Sequence, residues 1–160
     1  MREGLDLMPA GAFVFPSLEW FRAVQALANE DPTFRTLGSV DTRMGIKAFS
    51  EVFIITFQAF RCEQVQAGTE DDLFEVDFYL EMSPQEWQEM VQNIKAHNGA
   101  DARHTLNTLD LRLPGGLASN ATGDQYQADL FFRYNESLQR FFDLSAQLDT
   151  VFLDRHAPLS

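Results

Sequence analysis

Phe74-Glu75-Val76-Asp77-Phe78-Tyr79-Leu80-Glu81-Met82-Ser83-Pro84-Gln85-Glu86-Trp87 changes its period halfway along. Phe74, Val76, Phe78, Leu80 and Met82 alternate with Glu75, Asp77, Tyr79 and Glu81, the two-residue repeat of a strand with one apolar face. At Ser83 the pattern turns helical. Its hydroxyl can accept an orphan amide, Pro84 suits the first helical position, and Glu86 can reach back. Trp87, Met90, Val91 and Ile94 then form a stripe at spacings of three and four until Asn98-Gly99 stops the helix.

Upstream, Pro16-Ser17 opens an amphipathic helix carrying Leu18, Trp20, Phe21, Val24, Leu27 and Ala28, and Asp31-Pro32 interrupts it. The residues before Pro16 read as a frayed start. Val40, Thr42, Met44, Ile46 and Ala48 alternate with Asp41, Arg43 and Lys47 as a strand. Val52 to Phe60 places Phe53, Ile55 and Phe57 on one side and Val52, Ile54 and Thr56 on the other, the pattern of a strand covered on both faces. Arg61 to Gln66 reads as a third strand, ended by Ala67-Gly68 and the acidic turn Glu70-Asp71-Asp72.

Downstream, His104 to Leu109 reads as a helical turn, and Leu109, Leu111 and Leu113 alternate as a last strand. Pro114-Gly115-Gly116 and Ser119 to Gly123 are loop. Asp124 opens a long helix carrying Leu130, Phe131, Tyr134, Leu138, Phe141, Phe142, Ser145, Leu148 and Phe152. The order predicts an α+β fold, with helices laid on a mainly antiparallel sheet. No repeat or linker divides the chain, so one domain spans residues 1–160, with a core over 16–152 and flexible ends.

The chain has 160 residues and a formal net charge of −12. Phosphate backbones and anionic membrane surfaces need clustered Lys and Arg, so nucleic acid is excluded as a partner, and no apolar run is long enough for stable membrane insertion. A lone cysteine, Cys62, allows no internal disulfide and no thiol cluster, which fits a reducing compartment. Acidic Glu3 and Asp6 break what a secretory signal would keep apolar, so a cytoplasmic location is expected. The sequons Asn120-Ala-Thr122 and Asn135-Glu-Ser137 are then chance triplets.

Chemistry-bearing patterns are sparse. His97, His104 and His156 lack the spacing of a metal site, and Cys62 has opposed neighbours in Arg61 and Glu63. No Lys-Ser or Lys-Thr follows Pro114-Gly115-Gly116, which makes it a turn and not a phosphate loop. Glu75 and Asp77 have the solvent phase of their strand. No catalytic residue, metal or cofactor is assigned. The 15 phenylalanines imply a large apolar interior without polar handles. A dry pocket of about 300 Å³ would forfeit on the order of 7 kcal/mol, so it should be filled by ligand, by water or by collapse of a mobile helix.

The Trp20-Phe21 helix followed by Asn29-Glu30-Asp31-Pro32-Thr33-Phe34, and Asp77 to Trp87 with its strand, polar cap and helix beginning at a Trp, resemble the sterol-carrier-protein-type lipid-binding family over roughly residues 16 to 150. The resemblance implies a five-stranded sheet covered by helices, with a hydrophobic tunnel for sterols, fatty acids or fatty acyl groups and no catalytic residues. Asn98 to Gly123 is longer than the family's usual junction, and the negative charge suits uncharged ligands better than acyl-CoA. The expected function is noncatalytic binding or transfer of a hydrophobic small molecule. Its expected contacts are Phe53, Ile55, Phe57, Phe74, Val76, Phe78, Leu130, Phe131, Tyr134, Leu138 and Phe141. Two alternatives are a cone-shaped enzyme using a buried Asp or His on an apolar substrate, and an interaction subunit or homodimer pairing through Phe132 or Phe142.

Overall fold

The computed structural model describes residues 11–153. The expected loose ends lie outside these residues over 1–10 and 154–160, as does His156. Residues expected to fray before Pro16 instead form β1 (Ala12–Phe15), which pairs in parallel with β7 (Asp149–Phe152). Leu153 N donates to Phe15 O, extending that ribbon.

Helix α1 (Leu18–Asn29) starts where Ser17 Oγ accepts from Trp20 N at 3.1 Å, and it buries Trp20, Phe21, Val24 and Ala28. A short α2 (Pro32–Thr36) follows, capped by Asp31. The strands β2 (Thr42–Ala48), β3 (Glu51–Gln58) and β4 (Arg61–Gly68) form an antiparallel meander. Asn29 seals the outer edge of β4, accepting from Cys62 N at 2.8 Å and donating to Cys62 O at 3.1 Å, which blocks pairing by another strand.

The strand expected from Phe74 to Met82 is a 3₁₀ turn, Glu70–Glu75, followed by a bend and the shorter β5 (Phe78–Glu81). β5 lies parallel to β2 and antiparallel to β6 (Ala118–Ser119), giving the sheet order β4-β3-β2-β5-β6. The sheet is therefore mixed. The order of elements predicts a mainly antiparallel sheet, but the segment between β4 and β5 crosses the sheet face and brings β5 alongside β2 in the same direction.

The crossing segment covers the outer face of the sheet, where Leu73 and Val76 bury against Val52 and Ile54. Gly45 makes room for it, since a Cβ there would lie 2.6 Å from Leu73 Cδ2 and 2.9 Å from Tyr79 Cβ. Asp77 locks the crossing in place. Its Oδ2 accepts from Thr42 Oγ1 at 2.7 Å and Arg43 N at 3.0 Å, and its carbonyl accepts from Asn120 Nδ2 at 2.7 Å.

Helix α3 (Pro84–His97) is capped by Ser83 as expected, but Glu86 pairs with Arg112 at 3.0 Å instead of reaching back. Leu109 and Leu111 belong to a helix, α4 (Leu106–Arg112), and not to a strand. Leu106 and Leu109 are three apart and buried while Leu111 is 80% exposed, so the helical period governs. The expected long helix from Asp124 breaks at Tyr134 into α5 (Gln125–Arg133) and α6 (Asn135–Asp143), then passes through a 3₁₀ turn into β7. Packed against the inner sheet face, these helices close the main core.

Asp31 fastens α6 to this frame through two 2.8 Å bonds from Arg140. That guanidinium holds the Asp31 carboxyl below its usual range, against the opposing pull of burial. Asp31→Asn keeps a capping acceptor but loses the charge, and is expected to cost about 1–3 kcal/mol at neutral pH. Because the folded-state pKa is lowered, that contribution is full above the unfolded value near ~3.9 and disappears as pH falls through the folded one; urea titrations of both proteins from pH 7 to 2.5 should converge at the acid end. Gly45→Val is expected to lower unfolding free energy by about 1–3 kcal/mol in the same assay, since Leu73 and Tyr79 must give way.

Candidate functional site

The space between the inner sheet face and its helical cover is occupied by aromatic rings. Phe21 meets Phe53 at 4.9 Å between centroids, Phe57 meets Phe141 at 5.4 Å, and Phe78 meets Phe131 at 5.8 Å. Phe34 closes on Phe57, and Phe141 on Phe142, at 6.2 and 5.5 Å. These are ordinary edge-on and tilted contacts. The tunnel implied by the family resemblance is not seen among the described residues; rings fill the space between the sheet and the helices.

Most of the expected contact residues come together in this layer. Phe53, Ile55 and Phe57 project from β3, Phe78 from β5, Phe131 from α5, and Leu138 and Phe141 from α6, with Leu130 and Tyr134 packed at its margin. Phe74 and Val76 do not join them. Phe74 sits in the 3₁₀ turn, 61% exposed, and Val76 is in the small cluster on the outer face, because the strand phase begins only at Phe78. Of the two phenylalanines expected to face a partner, Phe132 is 51% exposed, whereas Phe142 is fully buried beside Trp87.

The carboxylates, histidines and basic side chains lie outside the buried layer, whose ionisable groups are the Cys62 thiol and, at its margin, the Tyr134 phenol. The buried polar side chains among the described residues are those of Thr42, Ser137 and Ser145. Asp77, expected on a solvated face, is partly buried, with its Oδ2 taken by Thr42 and Arg43 and its Oδ1 by Gln127 of α5. His104 Nδ1 lies 2.7 Å from Asp101 Oδ1, and its Nε2 lies 3.6 Å from Glu89 Oε2. The hydrogen bonds from His104 and Asn93 hold the Asp101 carboxyl well below the usual carboxylate range. The bond from Asn93 ties the loop after α3 to that helix, as does Asp101 N donating to Asn93 Oδ1 at 2.9 Å. No group of three or more His, Cys, Asp or Glu among the described residues could hold a metal ion.

Two clefts border the layer. One, of about 460 Å³, runs between α3 and β7 past Val91, Ala96, Val151 and Phe152. The other, of about 450 Å³, lies at the break between α5 and α6, lined by Leu37, Ser39, Asp41 and the run from Phe132 to Ser137. Asn135 and Ser137 were read in the sequence only as a chance sequon. Their place at a helix start was hidden by the apolar stripe, which continues through Tyr134 and Leu138 without a change of spacing. The Asn135 Nδ2 atom has less than 1 Å² of accessible area, so the sequon is closed to modification in the folded chain.

No protein-family model matches the chain, and no curated protein matches it. In fold it resembles the solution structure of a conserved hypothetical protein from Thermus thermophilus, suggested to be a sterol carrier protein. That likeness has a TM-score of 0.50 at 17% identity, over 81% of this chain and 87% of the other. It supports the α+β class and extends to the arrangement of elements, not to a shared activity. Among the described residues no helix is long and apolar enough to cross a membrane.

Cys62, fully buried under α1, has its thiol pushed up to about 12 by burial, with Arg61 and Glu63 exerting opposite pulls. The folded protein is expected to react with an aromatic disulfide reagent at pH 8 only as fast as it unfolds, and stoichiometrically in denaturant; prompt labelling of the native chain would contradict the burial.

Proposed function

We propose that the chain binds a hydrophobic small molecule without transforming it, and that the guest lodges between the inner sheet face and the α5–α6 cover. The observation that carries this reading is the composition of that layer. Its buried members are hydrophobic, drawn from strands on one side and helices on the other; no carboxylate, histidine or basic side chain is among them, and burial keeps the Cys62 thiol protonated. Such a surface offers dispersion contact and exclusion of water, and nothing that could move a proton. The likeness in fold to a protein suggested to be a sterol carrier points the same way.

In this reading the rings hold the site closed when it is empty, and a guest takes their place as α5 and α6 shift outward. The joint for that motion is Tyr134, which ends one helix and precedes the next. Phe57, Phe78, Phe131, Leu138 and Phe141 are the proposed contacts. A net charge of −12 disfavours phosphorylated ligands such as acyl-CoA and leaves sterols, steroids, fatty acids and other lipid-like molecules. The proposed setting is a reducing, cytoplasmic one, in keeping with the single buried thiol.

Native mass spectrometry of protein purified from cells, and again after delipidation and incubation with lauric acid or cholesterol, tests the reading. A one-to-one adduct of a few hundred daltons is expected. Leu138→Trp, which overfills the layer, should cut uptake at least tenfold while costing about 1–3 kcal/mol of stability. Absence of any adduct, or uptake unchanged in Leu138→Trp, would overturn the site.

A further inference from the structure

The cleft at the α5–α6 joint carries a feature that packing alone does not explain. Asn135 is the first residue of α6, and its Nδ2 is buried without any hydrogen-bond partner. An amide donor removed from water and left unpaired is costly, and such groups are rare in folded chains. No side chain caps α6, so the amide lies beside the positive end of that helix. Ser137, 5% exposed, lines the same cleft two residues further along the helix. The rim is mixed, with Leu37 37% and Phe132 51% exposed beside the polar Ser39, Asp41, Arg133 and Glu136. At about 450 Å³ the space is within the usual range for small-molecule sites.

These groups call for an acceptor oxygen, and the charges around them decide its kind. Asp41 and Glu136 line the cleft against a single cation, Arg133, whose guanidinium sits 5.8 Å from the centre of the Tyr134 ring. A carboxylate or phosphate would face two acids with one base in a chain of net charge −12. A ketone, ester or alcohol oxygen meets no such opposition.

We infer that Asn135 Nδ2 is the head-group donor of a binding subsite for a neutral, oxygen-bearing apolar molecule, whose carbonyl or hydroxyl oxygen accepts from it at the α5–α6 joint. This rests on the proposed binding of hydrophobic guests and narrows their class. The amide is closed off in the resting chain and is reached when the joint opens, so the same movement that admits the guest gives the orphan donor its partner. The apolar body of the molecule lies against Leu37 and Phe132 and continues toward Phe131.

The test compares 2-nonanone with nonanoate by isothermal titration calorimetry on the full chain, in wild type, Asn135→Ala and Leu138→Trp. Wild type should favour the ketone by about fivefold or more, the scale of one net hydrogen bond. Asn135→Ala should lose that preference, leave nonanoate binding unchanged, and show no fall in its urea midpoint, since the removed donor had no partner in the folded chain. Equal ketone binding in Asn135→Ala, a wild-type preference for nonanoate, or a destabilised Asn135→Ala would each overturn the assignment. If apolar adducts persist in mass spectrometry while Asn135→Ala binds as wild type does, only this subsite falls. If wild type takes up neither probe nor any adduct, the parent reading falls with it.

Discussion

The carboxylate of Asp77 is the point on which the architecture turns. By accepting from Thr42 Oγ1 and Arg43 N it holds the end of the crossing segment against the start of β2, and thereby sets β5 parallel to that strand. Its position at the bend separates Val76, which goes to the outer face, from Phe78, which goes to the inner one. Gln127 Nε2 of α5 donates to its other oxygen at 3.3 Å, and Asn120 donates to its carbonyl, so the start of the final helical pair is anchored on the same residue. A neutral side chain there could accept some of these bonds but not with the strength that charge gives them. One partly buried acid thus orients two sheet strands and the helix that lies over them.

That arrangement presents a continuous apolar surface to the helices, and the helices answer with phenylalanine. Rings meeting at 4.9 to 6.2 Å leave the layer solid in the resting chain. The alternative, an open hole of even 300 Å³, would forfeit on the order of 7 kcal/mol, a large part of the stability of an ordinary domain. Filling by the chain's own side chains is the inexpensive solution when no guest is present. It also bears on why the adjustable part is proposed to be the helical cover. The sheet is held by ladders and by Asp77, whereas α5 and α6 meet at Tyr134, where no side chain caps the second helix.

The sequence disclosed the parts that depend on local chemistry. Ser17 and Ser83 each accept from the amide three residues on, as helix caps are expected to, and the two faces of β3 divide as its alternation foretold. What it concealed depends on partners distant in the chain. Alternation from Phe74 to Met82 is real in composition, but the tertiary pull of Gly45 and the outer face winds its first half into a 3₁₀ turn. The leucines near position 110 satisfy either period, and burial of Leu106 and Leu109 decides for the helix. The inner-layer residues were legible because burial and ligand contact ask for the same side chains. For that reason the apolar pattern alone also could not distinguish a solid layer from a hollow one. Asn135 was illegible: an unpaired donor is a property of surroundings, and no neighbour in sequence announces it.

A closed resting layer limits where affinity can come from. A guest with ten buried methylenes gains about 8 kcal/mol of transfer free energy, while exposing a phenylalanine costs about 1.5–3 kcal/mol. Displacing two or three rings therefore consumes much of what the guest brings, before any loss of its own freedom on binding. In the proposed binding mode, hydrophobic contact would admit many molecules of suitable length and favour none strongly. Discrimination must arise from an interaction that the resting chain does not already make. An unpaired donor meets that requirement, because its desolvation has been incurred in folding and an arriving oxygen recovers it. Rings packed against rings cannot do the same, since they exchange one apolar neighbour for another.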